Sequence, residues 1–534
     1  MINKIKVFLK SPTFYLLLIL IIASFLRLYN LFNVPPGLYP DEAMNGNNAL
    51  EALSTHHFKV FYPENNGREG LFMNIQAFFL WLFKTTEPWI LRLPSALFGI
   101  LTVLGVYFFT KELFSCKNTK KYESTKYKIA LLSSFFVATN FWHINFSRIG
   151  FRAIMSPFFL VWGLYFLLKS FHSLNLKPYT LFAILAGIFY GLGFHSYIAY
   201  RTTPLLILII LIYFFIRSKK EGWQKKFLIS SFCFIFFTII AFLPLGIYFL
   251  KNPADFFGRT SQISIFNSSN PLKQLAINTI KTFGMFNFVG DSNWRHNISG
   301  KPELFWPVGI LFIIGIIIGI YSIFKNPKDK TQTTNQTQNL SAKNSFISNF
   351  ESDIRFSFLI LFSWLIVAAL PVVISNEGIP HALRSILMIP PVFIFAGVGG
   401  MWLYEMILTK IRNYTTMRNA LIILFFIILI FEAYTSYFIV WAKNPEVAGA
   451  FNADWVRIGR ELKATCGVGC DKLPKYVIVR AGGVDVRGIP MPAQTVMFIT
   501  DTFTPEKQNA KNLHYVLPDQ ISQIPENALV VEIK

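Results

Sequence analysis

The chain has 534 residues, 53% of them hydrophobic, 17% aromatic and only 15% charged, with a formal net charge of +22. A soluble protein carries close to a quarter charged residues, so the composition argues against a soluble globular chain. The Lys and Arg residues lie between apolar runs rather than on one basic domain, which argues against nucleic acid as a partner and for the anionic headgroups of membrane lipids.

The first apolar run begins near Ser11 and reaches Phe32 without a small-residue cleavage signal, which predicts a retained helix rather than a signal peptide. Further runs follow at about 89–110, 129–146, 154–170, 179–198, 202–217, 227–250, 304–324, 356–375, 385–407 and 419–441. Each is near the ~20 residues that span a bilayer, so the fold class is an all-α polytopic membrane protein with about eleven transmembrane helices. Lys4, Lys6 and Lys10, the six lysines between Lys111 and Lys128, Arg217 to Lys226, and Lys410 to Arg418 occupy alternate connections. The positive-inside rule makes these cytoplasmic, with the N-terminus inside and the C-terminus outside.

Domain organisation follows from the same pass. Residues 1–441 read as a transmembrane domain with two long outer loops, 33–88 and 251–303. Residues 325–355 form a polar linker on the cytoplasmic side, with only Thr, Gln and Asn from Thr331 to Asn339. Residues 442–534 read as a small extracytoplasmic α/β domain. A helix is expected over Pro445–Lys463, with strands at Tyr476–Arg480, Thr495–Thr500, His514–Leu517 and Ala528–Ile533. Cys116 and Cys233 read as plain thiols, and Cys466 with Cys470 is a disulfide candidate if the tail is outside.

The first outer loop holds Pro35-Pro36-Gly37-Leu38-Tyr39-Pro40-Asp41-Glu42. Pro and Gly stop the first helix and turn the backbone along the membrane surface. Asp41 then opens a helical stretch through Leu53, so two carboxylates lie at the mouth of a membrane helix. Asp41 reads equally as an N-cap and as a positioned base, and the two roles are compatible. Arg68 and Glu69 follow as candidate substrate-binding residues. The amphipathic run Leu71–Phe83 predicts a helix lying in the interface.

Short outer loops are normally poor in positive charge. Yet Arg148, Arg152, Arg201 and Arg384 sit at the outer ends of helices, with His195, Tyr197 and His381 beside them. Arg presents a planar fork of donors matched to phosphate oxygens. For any one of them, snorkelling or an interhelical ion pair is an equal reading; for the set, a phosphate site is the better account. The second long loop adds Arg259, and then Asp291, Arg295 and His296 within Gly290–Asn297, a mixture suited to sugar recognition and equally to a well-capped loop. Glu432 lies inside the last run, either functional or paired. The sequence shows no dense His/Asp cluster of the kind a tight metal site needs, and a divalent metal stays open.

These residues resemble the C-type integral-membrane glycosyltransferases, in particular the bacterial relatives of protein O-mannosyltransferases and the lipid A aminoarabinose transferases. The shared pattern runs from Pro35-Pro36-Gly37 with Asp41-Glu42 through Arg92-Leu93-Pro94-Ser95-Ala96, Ser147-Arg148 with Arg152, Tyr197 with Arg201, and Pro380-His381 with Arg384. It covers most of residues 12–407. The resemblance implies inverting transfer of a sugar from a polyprenyl-phosphate donor to a lipid, glycan or protein acceptor, in a prokaryotic cytoplasmic membrane. It implies Asp41 as base, Glu42 as the second acid, and the arginines as holders of the carrier phosphate. The rival expectation is a transporter or flippase for a lipid-linked sugar or polysaccharide. That reading needs polar residues through the bilayer midplane, where the runs are almost purely apolar.

Overall fold

The apolar runs fold as helices, because a backbone in lipid must satisfy its own hydrogen bonds. The computed structural model describes residues 11–115, 120–173, 176–262, 264–324, 352–376, 378–465 and 473–534. Nearly all of the polar 325–355 segment lies outside the described residues, as do Cys116, Cys466 and Cys470. Among the described residues, eight helices are long and apolar enough to cross a membrane, and the protein is a multi-pass membrane protein.

The count of about eleven is not reached on length and composition. Two expected spans fall on the shorter apolar helices Pro12–Leu28 and Pro178–Gly193. The expected 129–146 span is broken at Asn140. Its side chain accepts from the Trp142 N–H at 2.9 Å and starts a separate short helix, Phe141–Phe146.

Helix α1 (Pro12–Leu28) leads into the Pro-Pro-Gly turn. Gly37 has a φ of +76°, and a Cβ there would come within 2.3 Å of the Phe451 carbonyl, so only glycine lets the turn seat against the C-terminal segment. Helix α2 (Pro40–Thr55) starts at once. A two-residue antiparallel hairpin pairs Phe61–Tyr62 with Arg68–Glu69 across a turn in which Asn65, Asn66 and Gly67 all have positive φ. Helix α3 (Leu71–Phe83) buries Phe72, Met73, Gln76, Ala77 and Leu80 and exposes Phe78, Trp81, Leu82 and Phe83. Helix α4 (Pro88–Leu113) follows. The core is dominated by Phe, Trp and aliphatic side chains of the long helices.

The C-terminal region holds a three-stranded parallel sheet in the order Leu513–Val516, Lys475–Val479, Leu529–Ile533. Two expectations fail here. The single helix from Pro445 is two, Pro445–Ala450 and Ala453–Ala464, separated at Asn452 in the left-handed region. The expected strand Thr495–Thr500 is a helix, Gln494–Thr500, buried at every position. A short apolar run carries no period that separates strand from buried helix. Tertiary packing decides it. A Cβ on Gly46 of α2 would lie 2.5 Å from the Phe498 ring. Asn47 of α2 donates to the Gln494 carbonyl and side chain at 3.0 and 2.9 Å, and Thr495 donates to the Leu38 carbonyl at 2.9 Å. The C-terminal region therefore braces the helix that carries Asp41.

Candidate active site

Proline at the first turn and an extended Tyr39 set the start of α2. Asp41 is the second helical residue rather than the N-cap, and the cap function falls to Glu42, whose Oε1 accepts the Tyr39 N–H at 3.4 Å. Freed of capping, Asp41 lines a cavity of about 220 Å³. The same cavity is lined by Arg68, Glu69, Arg152, Tyr197, Arg201 and Arg384, together with Asn45, Asn65 and Asp255. Residues from positions 41 to 384 thus converge on one space. Pro371, inside the helix Ser352–Val373, is on its wall.

Asp41 accepts a hydrogen bond from the Asn65 amide at the tip of the hairpin. Beside it, the Tyr39 hydroxyl is pushed up to about 12 by burial and by Asp41, with Arg295 pulling the other way. The Arg295 guanidinium lies 4.0 Å from the centre of the Tyr39 ring. Arg68 donates to Asn45 at 2.7 Å and Asn48 at 2.6 Å. Burial, and then the neighbouring Arg152, lower its pKa to about 10, which still leaves it a cation at neutral pH.

Glu69 organises two more cations. Its Oε2 accepts from Arg152 Nε at 2.8 Å, and its Oε1 lies 3.5 Å from Arg201 Nη2. Arg201 also donates to the Phe256 carbonyl at 2.7 Å, with its guanidinium over the rings of Phe256 and Phe249. Arg152 lies over Tyr197. Arg384 donates to Ser375. Four guanidiniums face three carboxylates, so the cavity favours an anion, and it offers Asp41 as a proton acceptor.

Seven expected site residues are not on the cavity wall: Glu42, Arg148, His195, Asp291, Arg295, His296 and His381. Glu42 is fully buried and saturated: Arg92 Nε and Nη2 donate at 3.0 and 3.1 Å, and the Gly150 N–H donates at 2.6 Å. A carboxylate in that cage holds the first loop to the helices. Arg148 donates to the Leu26 and Val34 carbonyls at 3.2 and 2.9 Å and packs over Tyr437 and Phe438. It pins the end of α1. His195 bonds the Ala241 carbonyl through Nε2 at 2.9 Å, a link between helices. The side chain of Arg259 lies outside the described residues. Glu432 is paired with Lys301 at 2.8 Å.

Asp291, His296 and His381 form a separate cluster, off the cavity wall. Asp291 Oδ2 is 2.9 Å from His296 Nδ1 and 3.9 Å from His381 Nδ1. Burial alone would raise the Asp291 pKa, but the hydrogen bond from His296 and the nearby His381 hold it below the usual carboxylate value. Burial, with cationic neighbours, drops His381 well below the ordinary imidazole value. Asp291 N–H donates to Glu303, whose carboxyl is pushed well above its usual value by burial.

Sequence reading missed Asn45, Asn48 and Asn65. The Asn65-Asn66-Gly67 turn was the available signal for Asn65. Nothing in the sequence separates Asn45 and Asn48 from ordinary helix polar residues.

No protein-family model matches the chain, and no curated protein matches it. Solved structures do. ArnT from Cupriavidus metallidurans, bound to undecaprenyl phosphate, superposes with a TM-score of 0.55 at 12% identity, covering 97% of this chain and 89% of that one. The Archaeoglobus fulgidus oligosaccharyltransferase tethered to an acceptor peptide gives 0.51 at 15% identity, covering 96% of this chain. The chain spans only 65% of that archaeal protein's length. The same archaeal protein with an inhibitory peptide and a dolichol-phosphate gives 0.50 at 15% identity, over 92% of this chain and 64% of that one. The structural neighbours are C-type glycosyltransferases, and the fold is theirs.

Proposed function

We propose that this protein is a glycosyltransferase that moves a sugar from a polyprenyl-phosphate donor to an acceptor hydroxyl. One observation carries the reading: Asp41 and the guanidiniums of Arg68, Arg152, Arg201 and Arg384 line one cavity. Two neighbours of the same fold carry a polyprenyl or dolichol phosphate, which supports a lipid-linked donor here.

In this reading the donor phosphate meets Arg152, Arg201 and Arg384. The acceptor oxygen attacks the anomeric carbon opposite the phosphate, which inverts the centre. The carbon–oxygen bond to the lipid phosphate breaks, and the electron pair leaves with that phosphate. The acceptor proton goes to Asp41. The arginines stabilise charge that grows on the leaving group as the bond breaks, and such stabilisation speeds the step only because it strengthens toward the transition state. A carboxylate is a weak base. It suffices where positive charge has built up on the sugar before the proton leaves, as in oxocarbenium-like chemistry. Sidedness in this reading follows the positive-inside pattern: the cavity opens outside, and residues 442–534 lie on the same side, packed against the helix that carries Asp41.

The test is purified protein with a radiolabelled polyprenyl-phosphate sugar, scored for released carrier phosphate. Asp41→Asn should lower transfer by about 10²–10⁴-fold, the usual contribution of a positioned base, with thermal stability unchanged. Full activity in Asp41→Asn removes the assigned base. Lipid movement across a vesicle without release of carrier phosphate would establish the transporter instead.

A further inference from the structure

Two loops that flank the cavity, one long and one short, are joined by a cluster to which sugar transfer gives no task. Asp291 and His296 belong to the loop before the helix Trp306–Phe324, and His381 to the loop before the helix Ile389–Lys410. We propose that Asp291, His296 and His381 bind a divalent transition metal, zinc being the ion the donor set suits. The metal would clasp the two loops and hold Arg295 and Arg384 in place.

The donor types fit. Imidazole nitrogen with carboxylate oxygen is a zinc set, whereas calcium and magnesium take oxygen alone. The spacing fits as well. A tetrahedral ion with arms of about 2.0–2.1 Å sets its donors about 3.3 Å apart. Here the Asp291 oxygen is 2.9 and 3.9 Å from the two imidazole nitrogens, and all donor atoms lie within 4.8 Å. The two imidazole rings lie side by side, 4.9 Å between centres and 30° between planes. A single hydrogen-bonded Asp–His pair requires only one of them.

The surrounding shell is built. Asp291 Oδ2 also accepts the Ala382 N–H at 2.9 Å, and Oδ1 accepts the Asn293 N–H at 2.8 Å. These bonds fix the carboxylate and tie one loop to the other, as outer partners of metal ligands do. Glu303, 2% exposed, accepts the Asp291 N–H at 3.1 Å through Oε1, and its buried Oε2 has no hydrogen-bond partner among the described residues. Three protein donors leave a fourth position for water or an anionic oxygen. Arg295 precedes His296, and the Arg384 N–H donates to His381 Nδ1 at 3.4 Å, so metal binding displaces that weak bond and the neighbouring cations favour an anion in the fourth place.

The test is metal binding by the full chain in detergent, independent of any transfer assay. Cys466 and Cys470 are both replaced by Ser and the purification tag is removed, so that neither contributes ligands. After stripping with chelator, zinc is titrated against a competing fluorescent chelator, and cobalt is titrated with visible absorption as the readout. The expected result is one zinc per chain with a dissociation constant below about 1 µM, a cobalt spectrum of a four-coordinate N/O site, and at least 100-fold weaker binding in His296→Ala and His381→Ala. His56→Ala, on an exposed residue, should bind as the parent does. Absence of stoichiometric zinc in the parent protein overturns the proposal whatever the variants do. Equal binding in parent, His296→Ala and His381→Ala overturns it too. Loss of transfer activity alone bears on the reaction and not on this site.

Discussion

Two groups of arginines lie within one fold and do opposite things. Arg27, Arg92 and Arg148 are fully buried and spend their donors on the protein itself. Arg27 bonds the carbonyls of Ala23, Val137 and Ala138, and Arg92 takes Glu42 and the carbonyls of Pro35 and Gly37. Arg152, Arg201 and Arg384 line a cavity, and Glu69 is shared between the first two. The first group ties irregular backbone at the helix ends to the bundle, where an unbonded carbonyl is costly. The second group keeps its cationic charge facing open space. An arginine at a helix end is therefore either a staple or a cation on a cavity wall, and its local sequence does not say which.

Breaking the staple should give the largest change in stability. Arg92→Met leaves Glu42 buried without its cation, which costs about 3–5 kcal/mol in comparable buried pairs. Thermal unfolding in detergent and the yield of folded protein measure it, and an unchanged melting temperature would mean that the buried pair is not a staple.

Substitution in the cavity should reverse the pattern. Arg201→Ala or Arg384→Ala removes a charge-assisted contact worth about 1.5–3 kcal/mol to a bound anion, so kcat/KM should fall about 10–100-fold with a small change in melting temperature. Arg148→Ala, made in parallel, should lose stability instead. If Arg148→Ala matched the cavity variants in both readouts, the division into two groups would collapse.

The smallest effect concerns the clamp between the C-terminal region and the first loop. Arg487 donates to Glu51 at 2.7 and 3.0 Å and to Glu64 at 3.0 Å. Burial alone would raise the Glu64 pKa, but the Arg487 contact outweighs it and the net shift is downward. A depressed carboxyl adds stability that is full above its unfolded value of about 4.3 and is lost as pH falls through the lower folded value. Such half-exposed pairs are worth about 0.2–1 kcal/mol. The difference in melting temperature between the parent and Arg487→Ala should be present at pH 6 and shrink as the pH drops below about 4.

Much of the site's location was legible, because Pro-Gly stops and apolar runs act locally. Pro35-Pro36-Gly37 ends one helix and Pro40 starts another, which puts Asp41 at a helix mouth whatever surrounds it. The Leu71–Phe83 helix followed from its period alone. The Thr495–Thr500 segment was misread because both of its faces are buried, so no alternation survives to mark a strand or a helix.

The amino-acid order by itself set the all-helical membrane architecture, the first-loop acid and the supply of arginines at helix ends, since hydrophobic length and backbone dihedral limits act over a few residues. The tertiary structure alone decided that Glu42 goes to Arg92 while Asp41 faces the cavity, though the two are neighbours in the chain. It also decided that His381 meets Asp291 and His296 from about 90 residues away. Side chains one residue apart on a helix point about 100° apart, and only the packing of other elements determines which direction meets a partner and which meets open space.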